Sequence, residues 1–300
     1  MNSKLLATDG KGKFHETTWE KPEVFHNEIE VKAVFTGICR SDIDMMVGKF
    51  PLLPIHWSGH EGVGIITKVG DFLTNNYKPG DFVATRGEPA YSDYYNVMEG
   101  NFVVIPELSP KYILEPVACA LNILEQIGPL SDIHRTLIIG SGFLANVIYQ
   151  VLSLSKYYSG AADVVGTHNP SIWGSTTLFP FPPDYCTYNL IIDLSDKSIV
   201  FDYHDLLENN GTLVIAAEKH PAITTDFSRF LWKNAKILFP SPRAKTFQNC
   251  MFWARELIQT DQIEVEHFWT RGYDRRTEWH QAFEDGLNRP KGYKRGYLKW

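Results

Sequence analysis

At 300 residues, with 44% hydrophobic and 21% charged side chains, the chain is long enough to bury a sizeable core and has the make-up of a folded globular protein, which excludes the disordered and fibrous classes. A formal net charge of −6, with Lys and Arg scattered except between Lys291 and Lys299, leaves no electrostatic footprint for nucleic acid. Residues 1–14 lack the apolar stretch of a signal peptide, and no window approaches the roughly 18 apolar residues of a membrane span, so a cytoplasmic protein with no membrane partner is expected.

In chain order, the first hundred or so residues read as short strands divided by turns. IEVKAVFTGI (29–38) alternates into a glycine, GVGIITKVG (62–70) is β-rich with glycine at both ends, and residues 78–106 carry Pro-Gly and Glu-Gly turn signals between strand-like runs. From Glu115 the period changes. EPVACALNILEQI (115–127) spaces its apolar residues as a helix does, and TLIIGSGFLANVIYQVLSL (136–154) reads as strand, glycine turn and helix. Residues 162–170, 188–196, 201–218 and 227–243 supply further short apolar strands between helical or loop segments, which predicts a parallel sheet with helices on both faces. The tail reads as helix, strand, helix, strand over 252–300, and no internal repeat is visible.

GSGFLA (140–145) fits the phosphate-binding turn G-x-G-x-x-A. Gly140 makes the tight turn, Gly142 lets the backbone approach a pyrophosphate, Ala145 is small enough for helix–strand packing, and the N–H groups at Phe143 and Leu144 open the next helix toward the phosphates. An NAD site would place an acid about 20 residues on, at the end of the second strand. Here Val165, Gly166 and Thr167 stand in that window, Asp163 comes too early, and Thr167, His168 and Asn169 are neutral donors that tolerate a 2′-phosphate, so NADP(H) is expected over NAD(H).

Four cysteines, Cys39, Cys119, Cys186 and Cys250, lie far apart with no C-x-x-C pair, which argues against a disulfide framework. Cys39 and His60 carry zinc-ligand chemistry, and a catalytic zinc keeps three protein ligands with one position open. The bland alternative, a buried Cys and a satisfied core His, weighs equally on these two residues alone.

GICRSD (37–42), GHEGVG (59–64), YKPGDFV (77–83), LEPVACAL (114–121) and GSGFLA (140–145) follow one another as in the zinc-dependent medium-chain alcohol and polyol dehydrogenases, which the chain resembles over nearly its whole length. The resemblance implies an α/β fold in which a doubly wound Rossmann sheet at 122–242 is inserted in a β-rich, GroES-like catalytic domain at 1–121 and 243–300. It implies one catalytic zinc on Cys39 and His60 with Glu115 or Glu61, while Cys119 becomes a buried residue. Ser41 matches the hydroxyl that passes the alcohol proton outward; Asp44 stands where some relatives end the relay on a His, so the relay either uses Asp44 or leaves to solvent directly, and Asp42 matches a carboxylate that orients His60. Arg40 and Arg295 match arginines that contact the cofactor pyrophosphate. The implied reaction is hydride transfer between NADP(H) and a secondary alcohol or polyol or its carbonyl, and the 241–243 region and the tail look like polyol-phosphate reductases. A homodimer or homotetramer is implied as well. Residues 85–97 carry none of the four cysteines that hold a structural zinc in many relatives, so one zinc per chain at most is expected. Phe50 and Trp57 are candidate walls of a substrate pocket. The alternatives are a zinc-free quinone or enoyl reductase of the same fold and a non-catalytic NADPH-binding protein.

Overall fold

The computed structural model describes residues 2–49, 58–154, 156, 158–166, 173, 178–183, 186–197, 199–219 and 224–300. The chain divides into two compact units, 1–118 with 251–300, and 119–250.

The first unit is β-rich. Its strands are β1 (Asn2–Thr8), β2 (Phe14–Glu20), β3 (Glu28–Gly37), β4 (Glu61–Val69), β5 (Phe82–Arg86), β6 (Tyr94–Met98) and β7 (Phe102–Val104), and the short helix α1 (Arg40–Met46) lies between β3 and β4. Strands β1 and β2 form a hairpin, and a second sheet runs β14-β15-β3-β4-β5-β7, with β6 on β3, where β14 is Trp269–Asp274 and β15 is Arg295–Lys299. All pairs of that sheet are antiparallel except β14 with β15. Ile29, Val31, Ile66, Val83, Tyr95 and Phe102 fill one core, while Leu6, Phe14, Ile43, Tyr91 and Phe283 fill another beneath α1. Phe283 comes from α6 (Trp279–Asn288), which approaches α1 closely: a Cβ on Gly286 would lie 2.9 Å from Ile43.

The second unit is a six-stranded sheet in the order β10-β9-β8-β11-β12-β13, parallel throughout. Its strands are β8 (Arg135–Ile139), β9 (Ala161–Val165), β10 (Leu178–Phe179), β11 (Tyr188–Asp193), β12 (Leu207–Ile215) and β13 (Lys236–Leu238). The order reverses at β8, whose neighbours are β9 and β11, and that reversal is the switch point at which doubly wound sheets bind nucleotides. The expected strand and helix alternation stands, with shorter crossovers than the pattern suggested. Helix α3 (Phe143–Leu152) spans ten residues, whereas Ile199–Leu206 is a 3-10 segment and α4 (Ser228–Leu231) a single turn. Between β10 and β11, Pro180, Pro182 and Pro183 deny the chain the amide donors that a helix needs. Helices α2 (Glu115–Ile127) and α5 (Phe247–Gln259) carry the chain from one unit into the other.

Candidate metal centre and dinucleotide turn

Strand β3 ends at Gly37, and the chain turns through Ile38 and Cys39 into α1. Asp42, third in that helix, reaches back to accept the Cys39 amide at 3.2 Å, the reciprocal arm of a capping box, so the bond that starts the helix also places Cys39. His60 enters from the other side. Gly59 takes φ +74°, a left-handed conformation that a side chain would strain, and its amide donates to Asp42 Oδ1 at 3.3 Å, while its carbonyl accepts from Ala90 at 2.9 Å. The reversal delivers His60 beside Cys39 and starts β4 at Glu61.

The ligand atoms of Cys39, His60 and Glu61 lie within 4.8 Å of one another. Asp42 Oδ1 stands 3.7 Å from His60 Nδ1. Burial works against a charge on His60, yet the charges of Asp42, Cys39 and Glu115 outweigh it and hold the imidazole well above its ordinary pKa. For Asp42 burial wins, lifting the carboxyl above the usual range against the pull of His60, Tyr91 and the Cys39 amide. The cluster gathers a cysteine sulfur, an imidazole and carboxylates in one place, donors that a dication would draw together.

Glu61 is fully buried, and both of its oxygens accept from Arg295, at 2.5 and 2.6 Å. Its carboxylate occupies the space over Gly37, where a Cβ would come within 2.0 Å of Oε2. Arg295 in turn lies over the Trp269 ring, 4.8 Å from its centroid. Arg295, expected at a pyrophosphate, is therefore held by Glu61 here. Glu115, the first residue of α2, is buried and acts on His60 through its charge, but it lies outside the group of three. Ser41 is half-buried, two positions after Cys39 in α1. Asp44 accepts from Arg40 Nε at 2.9 Å and pairs with Lys49 Nζ at 3.0 Å, so the residue expected to end a proton relay sits between two cations, and Arg40 is engaged with it. Cys119, expected to be buried, is half-buried, because helical spacing turns it outward between Ala118 and Ala120. Phe50 and Trp57 lie outside the described residues.

The glycine turn sits in the second unit, at the carboxyl end of β8. Gly140 has φ +115°, and its amide donates to Val165 at 2.8 Å. Gly142 caps α3, and a Cβ built on it would meet nothing within 4 Å, which leaves open space directly before the helix amides. Phe143 buries its side chain, Leu144 is half-buried and Ala145 is buried. Ser141 packs so closely under Gly166 that a Cβ there would lie 2.4 Å from Ser141 Oγ, and Trp173 Nε1 donates to the Ser141 carbonyl at 3.1 Å. Asp163 lies in the middle of β9, paired with Arg135 at 2.9 Å and accepting from Tyr188 at 2.9 Å, which removes it from any ribose. Thr167, His168 and Asn169 lie outside the described residues.

Two features were not visible in the sequence. Tyr91 donates to Asp42 from 49 positions away, and its only signal is a place in a strand-like run. Lys219 meets the fully buried Asp193 at 2.5 Å, at the carboxyl edge of β11 beside the glycine turn, where Leu194 donates to Ile139 at 2.8 Å.

Both units fit the groups their residues call for. Cysteine sulfur, imidazole nitrogen and carboxylate oxygen, converging in a partly buried site, are the donors zinc takes. A left-handed glycine, a second glycine facing open space and a helix N-terminus make a cradle for a dinucleotide pyrophosphate.

Residues 26–107 match the Alcohol dehydrogenase GroES-like domain. Over those residues, within the β-rich unit, the chain carries an alcohol dehydrogenase GroES-like domain. It is similar to D-arabinitol dehydrogenase 1 of Uromyces fabae, 27% identical over 48% of this chain and 48% of that one. It is also similar to sorbitol dehydrogenase of Mus musculus, 35% identical over 30% of this chain and 26% of that one. The matched stretches span less than half the length of either relative. A thermostable alcohol dehydrogenase from Pyrobaculum aerophilum has the same fold, with a TM-score of 0.82 at 15% identity over 100% of both chains.

Proposed function

We propose that this chain is a zinc-dependent oxidoreductase that moves a hydride between a nicotinamide cofactor and a secondary alcohol or polyol, a polyol phosphate included, or the corresponding carbonyl. The observation that carries the reading is the approach of the Cys39 and His60 ligand atoms to within 4.8 Å of each other, with carboxylates beside them. Cys39 and His60 are the two ligands open to the metal, with Glu115 as the third, because Glu61 already holds Arg295 through both oxygens. When bound, zinc supplies a Lewis acid that lowers the pKa of the substrate hydroxyl. Asp42 orients the imidazole, and Ser41 Oγ takes the hydroxyl proton outward. The glycine turn holds the pyrophosphate, and the first-named unit serves as the catalytic domain with the other as the dinucleotide domain. The similarity to the arabinitol and sorbitol enzymes supports a polyol, and the enzyme is read as acting in the cytoplasm as a homodimer or homotetramer.

A zinc-free reductase of the same fold is the second reading, and the capture of Glu61 by Arg295 favours it to the extent that it takes one carboxylate away from the metal. The two readings part on a single preparation. Metal analysis of protein purified without chelator gives one zinc per chain under the first and none under the second, in which NADPH oxidation proceeds at full rate without metal.

The cofactor preference follows from Thr167 and His168. A carboxylate within ~4 Å of a 2′-phosphate repels it, and these neutral groups do not. They offer no strong cation either, so the preference for NADPH over NADH is modest, roughly tenfold or about 1.4 kcal/mol. Oxidation rates of both cofactors against a panel of ketoses and ketose phosphates measure it, and Thr167→Asp reverses it. Equal use of NADH by the wild type, or no reversal, contradicts the assignment.

A further inference from the structure

Cys39 and His60 stand on segments 21 positions apart, and one buried side chain touches both. The hydroxyl of Tyr91 donates to Asp42 Oδ2 at 2.8 Å and lies 3.1 Å from the Gly37 carbonyl, at the end of the strand that leads to Cys39. The Tyr91 amide donates to the Ser58 carbonyl at 3.1 Å, two residues before His60. Gly59 packs against the ring so closely that a Cβ would lie 2.5 Å from Tyr91 Cγ.

The ring itself has nowhere to go. It is fully buried, edge-on to Phe14 with centroids 5.8 Å apart and to Phe283 at 5.3 Å. A ring so fixed places its hydroxyl oxygen at one point. Asp42 also accepts from the Cys39 and Gly59 amides, at 3.2 and 3.3 Å, so three donors on three segments determine where its carboxylate sits and which oxygen is left toward His60 Nδ1. The Tyr91 contact is the shortest of the three, as expected of an O–H donor on a carboxylate.

We propose that the Tyr91 hydroxyl is a positioning group for the metal centre, fixing Asp42 and through it His60 relative to Cys39. The inference rests on the zinc reading given above. Groups that orient a metal-bound histidine carry 10–100-fold in metal affinity, and Tyr91 acts at one remove from such a group.

The test is the zinc affinity of the full chain, read by competition with a chromophoric chelator, together with the visible spectrum of the cobalt-substituted protein. Tyr91→Phe removes only the hydroxyl and is expected to weaken zinc binding by about tenfold or more and to shift the cobalt bands. Tyr95→Phe is the control, since it removes another fully buried hydroxyl of the same unit, bonded to Thr85 at 2.8 Å; it is expected to leave affinity and spectrum at wild-type values. In an Asp42→Asn background the effect of Tyr91→Phe should vanish, because the two act in series. Asp42→Asn alone replaces Tyr91→Phe should the latter not fold, and it is expected to weaken binding at least as much.

Wild-type affinity and spectrum in Tyr91→Phe, equal weakening in Tyr95→Phe, or an undiminished Tyr91→Phe effect in the Asp42→Asn background each overturn the proposal while leaving the zinc reading intact. If Asp42→Asn stands in for Tyr91→Phe, wild-type affinity in it has the same meaning. A wild type that takes up no zinc through Cys39 overturns both.

Discussion

Asp42 and Glu61 both stand beside His60, and their partners separate their tasks. Asp42 spends its oxygens on amides, a phenol and the imidazole, whereas Glu61 spends both on Arg295. The separation yields opposite expectations for neighbouring substitutions. On the proposed zinc reading, Cys39→Ser and His60→Ala remove metal ligands that lie outside the core clusters, so zinc and turnover should be lost with little change in melting temperature. Glu61→Gln strips one partner from a buried ion pair and should cost about 3–5 kcal/mol of stability, because Arg295 keeps its charge in a site 13% exposed. Thermal melts with metal analysis on the three variants check this; a collapse of folding in Cys39→Ser would assign that residue a structural task. Cys39, His60 and Glu61 were legible because ligand chemistry is written in residue type and the motifs stand in family order. The pairing of Glu61 with Arg295, 234 positions away, was not, since nothing local to either residue names the other.

At the scale of elements, the glycine turn between β8 and α3 divides its work between two residues that look alike in sequence. Gly140 supplies a left-handed φ of +115°, so Gly140→Ala strains the backbone and should destabilise the protein by about 1–3 kcal/mol. Gly142 has an ordinary φ of −86° and open space where its Cβ would go. Gly142→Ala should therefore melt like the wild type while binding the dinucleotide at least tenfold more weakly, because the methyl group takes the place of the pyrophosphate. Cofactor titration by protein fluorescence, beside thermal melts, checks both; unaltered binding in Gly142→Ala would remove the turn from the cofactor site. The turn and the parallel sheet were readable from apolar runs and glycine spacing. The brevity of the later crossovers was less so, because apolar runs mark strands well, while helices of a single turn leave no period to detect.

Over the whole molecule, the β-rich unit contains a pair that sets its response to acid. Lys21 and Glu30 meet at 2.8 Å with side chains 2% and 3% exposed, and Thr67 and Lys68 add bonds to the same carboxylate. Burial opposes the charge on Glu30, and these three partners outweigh it and hold its pKa below the ordinary value. A lowered folded-state pKa means stability that is fully present above about pH 4.3 and lost as pH falls through the lower folded value. Glu30→Gln should then be less stable than the wild type at pH 7, with the difference shrinking below pH 4; denaturant midpoints across that range measure it, and a constant difference would contradict the assignment. Charge pairing of this kind is hidden from sequence, where Lys21 and Glu30 read as surface residues by type.

The central claim, hydride transfer at a zinc held by Cys39 and His60, meets its most direct test in isotope transfer. NADPH carrying deuterium at C4 of the nicotinamide is incubated with a ketose or ketose phosphate and zinc-loaded protein, and the product alcohol is weighed by mass spectrometry. The account predicts a product one mass unit heavier with the wild type and none with Cys39→Ser. Unlabelled product, or label transferred equally well by Cys39→Ser, would contradict it.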